Sequence, residues 1–143
     1  MDNVEMIRVE IPASLKYLHV LSAAIVAIFE RIPDLQEVEA HVYNLSLAVQ
    51  ELGTNIVTHA YGGEDKSGRI EVVFTLTSAP RRLIIETLDS GRGQFDPENV
   101  SPPSMQEPQD HGYGLFLMRE LLDEISYQLA PGDNRWRLVK DLG

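Results

Sequence analysis

Residues 34–63, DLQEVEAHVYNLSLAVQELGTNIVTHAYGG, decide the fold. Val38, Val42, Leu45, Val49, Leu52 and Ile56 recur three and four positions apart. That spacing draws one apolar stripe along a helix of about 3.6 residues per turn. It predicts a helix over 34–60, closed by Tyr61-Gly62-Gly63, because glycine takes up the left-handed geometry of a helix end at no steric cost. A helix with one apolar stripe needs a second layer to cover that stripe.

The flanks supply the layer. On the N-terminal side, Val4 to Ile11 alternates as a strand that Pro12 is expected to end. A helix then follows over 14–32, with Ser14 as its N-cap and Leu18, Leu21, Ile25, Ile28 and Ile32 as its stripe. On the C-terminal side, Ile70–Thr77 and Arg82–Leu88 form a hairpin-like pair about Ala79-Pro80. Residues 89–114 hold four of the chain's eight prolines and four of its ten glycines, so they read as a long irregular loop, and such loops in compact domains are usually functional. A third helix starts near Gly112–Gly114 and carries Leu115, Met118, Leu121 and Leu122. Ile125–Leu129 and Arg135–Val139 close the chain as a hairpin around Pro131-Gly132-Asp133-Asn134. The order βααββαββ predicts an α+β two-layer sandwich: a mostly antiparallel sheet with helices on one face.

Composition bounds the function. The 143 residues suit one domain spanning 1–143. Twelve Lys+Arg against 22 Asp+Glu give a net charge of −10, which repels phosphate polymers and argues against nucleic-acid binding. Without cysteine there is no disulfide, thiolate metal site or cysteine nucleophile. The acidic start is unlike a secretory signal, and the longest apolar run, Leu18–Phe29, is too short to span a bilayer. The expectation is a soluble cytoplasmic protein without membrane contact. Histidines 19, 41, 59 and 111 lack zinc-site spacing, and no nucleophile-elbow sequence is present.

Three short segments carry chemistry. Glu51 and Asn55 lie one turn apart on the second helix, about 40° apart in projection, with His59 a turn further on. A carboxylate and a carboxamide so placed suit a general base and a hard-cation ligand; a solvated helix edge has the same pattern. Asp89-Ser90-Gly91-Arg92-Gly93 follows a strand, where the carboxylate can accept from a ligand amino group. The glycines there allow close backbone approach and positive φ; an ordinary turn reads the same way. Gly112-Tyr113-Gly114-Leu115 opens the third helix, whose free N–H groups suit an anion.

In this order and setting, the three segments resemble the ATP-binding domain of the GHKL superfamily, named for gyrase, heat-shock chaperone, histidine kinase and mismatch-repair ATPases. Within it, the chain is most similar to the small anti-sigma-factor serine/threonine kinases. ELGTNIVTHAYGG (51–63), LDSGRGQFDP (88–97) and HGYGLFLMRELLDEISY (111–127) carry the likeness. The resemblance implies ATP and Mg²⁺ as cofactors. It implies that Asn55 holds the Mg²⁺, that Glu51 orients or deprotonates the attacking hydroxyl, and that Asp89 binds the adenine amino group. Gly91 and Gly93 would border the base. Gly112 and Gly114 would free the lid-to-helix turn, and the N–H groups from Gly114 through Leu115 to Phe116 would hold phosphates. Residues 94–111 would form the ATP lid. The resembled kinases phosphorylate a STAS-domain anti-anti-sigma protein and sequester a sigma factor as a homodimer. Two other functions stay open: a non-catalytic nucleotide-gated binding module, and a switch kinase with no sigma factor. The resembled superfamily often sets a hydroxyl on a late strand near the adenine, whereas the last strand here, RWRLVK (135–140), has no Ser or Thr. Trp136 and Tyr127 are expected to pack the sheet, and Arg92 either touches phosphate or is a solvated turn residue.

Overall fold

The computed structural model describes residues 4–93 and 113–143. Five strands form a single sheet: β1 (Glu5–Ala13), β2 (Asp65–Ser78), β3 (Arg81–Asp89), β4 (Glu124–Ala130) and β5 (Asp133–Asp141). Their spatial order is β1-β2-β3-β5-β4, with every neighbouring pair antiparallel. Three helices, α1 (Leu18–Phe29), α2 (Val38–Asn55) and α3 (Tyr113–Leu121), cover one face. α2 lies between the other two and packs against both. The α+β sandwich read from the element order is therefore the fold observed.

The register shows how the sheet positions its side chains. Side chains alternate between faces, so residues directly opposite one another form rows across the strands. Phe74, Ile85 and Leu138 make one row of core side chains. Val72, Thr87 and Trp136 make the next. Ile70, Asp89 and Asn134 make a third, at the end of the sheet where β3 and β5 meet. A row that begins apolar and ends in a buried carboxylate and carboxamide marks the point where the core gives way to a site.

Several boundaries differ from the sequence reading. β1 runs through Pro12 to Ala13, with a register shift between them. The strand lies at the sheet edge, where a missing N–H is tolerated. α1 starts at Leu18, after a single 3-10 turn over Leu15–Tyr17, and Ser14 makes no side-chain cap. The carboxylate of Glu64 instead accepts the Leu15 N–H at 2.9 Å. Hydrogen bonds from the Ser14 hydroxyl and the Leu15 N–H hold the Glu64 carboxyl below its ordinary value. α2 starts at Val38 rather than Asp34, because Asp34 and Glu37 take left-handed φ values of 57° and 55° and break the approach. Its close contact with α1 rests on Gly53, where a methyl would stand 2.6 Å from Leu18 Cδ2. Beyond Asn55 the chain widens into a π-helical turn, Ile56–Ala60, which ends at Gly62 and Gly63 with φ of 74° and 129°, as the glycine pair implies. Among the described residues, no helix is long and apolar enough to cross a membrane.

Candidate active site

A cavity of about 530 Å³ opens where α2 meets the end of the sheet, a size that suits a small-molecule site. Leu52, Asn55, Ile56 and Ala60 form its helical wall. Asp89 and Gly93 come from the exit of β3, and the β4–β5 hairpin supplies an apolar flank, Leu129 to Pro131, with Asn134 and Trp136. The structure thus brings Asn55 and Asp89 to one cavity from opposite layers.

Asp89 is the last residue of β3 and is only 7% exposed. Its Oδ1 accepts the Gly91 N–H at 3.0 Å and the Asn134 Nδ2 at 2.8 Å. Its Oδ2 is buried and has no hydrogen-bond partner. Buried polar atoms are nearly always satisfied, so an orphan acceptor on a cavity-lining carboxylate marks a place for a donor from outside the protein. Burial pushes the Asp89 carboxyl above its ordinary value, against the pull of the Asn134 and Gly91 hydrogen bonds.

Gly91 and Gly93 serve close approach but not positive φ: neither is left-handed. A Cβ on Gly91 would run into the Ala60 carbonyl, and one on Gly93 into the His59 carbonyl. The Gly93 N–H donates to the Ala60 carbonyl at 2.7 Å. The glycines therefore clamp the β3 exit onto the π turn. Gly93 also lines the cavity, whereas Gly91 lies just outside it and accepts from Asn134.

Glu51 stands one turn before Asn55, half-buried, outside the cavity lining. His59 falls within the π turn and is half-buried. α3 spans Tyr113–Leu121, so the N–H groups of Gly114, Leu115 and Phe116 belong to its first described turn. The Leu115 side chain is fully buried in the core, leaving only its backbone for a ligand, and Phe116 is half-buried. Gly112 and the expected lid, 94–111, lie outside the described residues. The Arg92 guanidinium lies at the β4–β5 turn, with Nη2 3.3 Å from where a Cβ on Gly132 would stand. Trp136 packs on Tyr127 with ring centroids 4.9 Å apart and also faces the cavity.

Asn134 was missed as a site residue, since Asp-Asn after Pro-Gly reads as turn chemistry. The alternation of β5 was the available signal: Asn134 shares its face with Trp136 and Leu138.

Among the described residues, no three His, Cys, Asp or Glu side chains gather to hold a metal. A single carboxamide oxygen from Asn55 still fits Mg²⁺, which keeps several waters and takes its remaining ligands from phosphates.

The family model of the histidine kinase-like ATPase domain matches residues 11–140. The chain is 31% identical over 140 residues to the serine-protein kinase RsbW of Bacillus pumilus (strain SAFR-032), covering 92% of this chain and 83% of that one. It is 29% identical to the protein of the same name in Bacillus cereus (strain AH820), with 92% and 82% covered. The chain belongs to the histidine kinase-like ATPase family and, within it, to the RsbW serine-protein kinases. It is by family an ATP-using serine/threonine protein kinase. Solved structures share the fold, two of them as follows. One contains the RsbU and RsbW domains of Rv1364c from Mycobacterium tuberculosis (TM-score 0.69, 17% identity), and the match covers 96% of this chain but 32% of that one. The other is the histidine kinase domain of the Erythrobacter litoralis EL346 blue-light activated histidine kinase (TM-score 0.56, 21% identity, 92% and 61% covered).

Proposed function

We propose that this chain is an anti-sigma factor that transfers the γ-phosphoryl group of ATP to a serine or threonine of a STAS-domain antagonist, and so switches its own partner binding. The observation that carries the reading is the convergence of Asn55 and the half-unsatisfied Asp89 on one cavity. Asp89 Oδ2 accepts from the adenine 6-amino group, and the apolar flank from Leu129 to Pro131 shields the base. Asn55 would hold Mg²⁺ through its side-chain oxygen, and the ion would supply positive charge against the phosphates. The first-turn N–H groups of α3 face the phosphates. Glu51 takes the proton of the attacking hydroxyl as the new O–P bond forms and ADP leaves with the electrons of the broken bond. We further propose a single domain spanning 1–143 that works in the cytoplasm as a homodimer and binds a sigma factor.

Incubation with labelled ATP and the STAS proteins encoded nearby tests the reading. Label on a STAS serine or threonine, absent with Glu51→Gln, is the expected result; no label on any of them contradicts it. One observation favours a second reading, the nucleotide-gated binding module: Glu51 lies outside the cavity lining. That reading predicts ATP-dependent partner binding with no transfer.

A further inference from the structure

We infer that Asn134 restricts this site to bases that present a single amino donor, and so selects adenine over guanine by occupying half of the Asp89 carboxylate. The inference rests on the nucleotide reading of the cavity.

A free carboxylate offers two oxygens and about four lone-pair sites, and it readily accepts two parallel N–H groups. Guanine presents such a pair, its ring N1–H beside its 2-amino group. Adenine presents only its 6-amino group, next to an acceptor nitrogen. An unguarded carboxylate would therefore welcome guanine.

Asp89 is not unguarded. Its Oδ1 already takes two donors, the Gly91 N–H and Asn134 Nδ2. The second hydrogen of that Asn134 amide goes to the Gly91 carbonyl at 2.9 Å. Because both partners of Nδ2 are acceptors, the amide has only one sensible orientation, and a flipped carboxamide would oppose oxygen to oxygen twice. Asn134 and Asp89 are both 7% exposed and lie directly opposite each other in the β3–β5 register, so the pair is held by backbone as well as by side chain. Buried and fully engaged, Asn134 Nδ2 is a durable occupant of Oδ1. Only Oδ2 remains; it can serve one amino group, whereas the two parallel N–H groups of guanine need both carboxylate oxygens side by side. Asn134 is thus a specificity-determining residue that acts through Asp89. It does so from the beginning of β5, the strand that carries no Ser or Thr over residues 135–140.

The test is calorimetric titration of the full chain with Mg-ATP, Mg-GTP and Mg-ITP, ITP being the guanine analogue without a 2-amino group. In the wild type, ATP binds tightest, and GTP binds no better than ITP because the 2-amino group finds no free oxygen. In Asn134→Ala, GTP gains about tenfold over ITP, the scale of one hydrogen bond to a charged group. Asn134→Thr, which keeps one donor for Oδ1, restores the wild-type GTP/ITP ratio. A merely structural role for Asn134 would lower all three affinities together and leave that ratio unmoved, which would overturn the inference. So would a wild type that binds GTP tenfold tighter than ITP, a result that needs no variant to fold. If the wild type binds ATP but shows either of those patterns, the nucleotide reading stands and only the role of Asn134 falls. If it binds none of the three, both fall.

Discussion

The amide of Gly93 donates to the carbonyl of Ala60 at 2.7 Å, joining the exit of β3 to the end of the π turn. Asn55 sits on one side of that junction and Asp89 on the other. The distance between the expected metal ligand and the expected base-binding carboxylate therefore depends on two backbones being in contact.

Gly93→Ala should break that contact. Its methyl would overlap the His59 carbonyl, a backbone atom that cannot swing aside. Overpacking of this kind costs about 1–3 kcal/mol. Thermal melting should show a midpoint several degrees lower, together with weaker ATP binding. Gly53→Ala, which meets only the flexible end of Leu18, is expected to cost less. Equal melting temperatures for wild type and Gly93→Ala would show that the junction yields.

Asn55→Ala should remove the magnesium-dependent part of ATP affinity and leave the remainder. Titrations with Mg²⁺ and with a chelator separate the two: the variant should resemble the wild type only in chelator. Retention of full Mg-ATP affinity would take Asn55 out of the metal site.

Glu51→Gln keeps size and hydrogen-bonding capacity but not basicity. ATP binding should survive, while the single-turnover rate of transfer to a STAS substrate falls about 10²–10⁴-fold, the scale of a positioned base. An unchanged rate would argue for the binding-module reading.

Asp89→Asn separates stability from function. Burial holds the Asp89 carboxyl above its ordinary value, so the folded state favours the protonated form. The contribution of this residue to stability is full below the ordinary carboxylate value near pH 4, and it is lost as pH rises through the raised value. As pH rises the wild type has to take on a buried, half-satisfied charge, while an asparagine oxygen at this position stays neutral and can still accept from Gly91 and Asn134. The nucleotide-free variant should melt with the wild type near pH 4 and above it at pH 7. Melting curves that diverge the other way with rising pH would contradict the assignment.

The periodic parts of this fold were legible, and the contacts between distant segments were not. The α2 stripe, the Gly62-Gly63 stop and the βααββαββ order all follow from local spacing, and all are observed. The helix over 14–32 opens instead as a 3-10 turn at Leu15, whose N–H is taken by Glu64, 49 residues away, and α1 follows only from Leu18. Asn134 was overlooked because its meaning lies in Asp89, 45 residues away. Asp89 and Asn55 were legible because each stands at the end of a regular element, where alternation and helical phase predict direction. The glycines of 91–93 were identified for close approach, but the surface they approach is the π turn, and no local pattern announces it.

The central claim is that Asn55 and Asp89 face one nucleotide, and titration of Mg-ATP into the wild type and Asp89→Asn tests it most directly. Saturable binding by the wild type, weakened about 10–100-fold when the acceptor for the 6-amino group becomes a donor, is the predicted result. Equal affinity in the two proteins would contradict it.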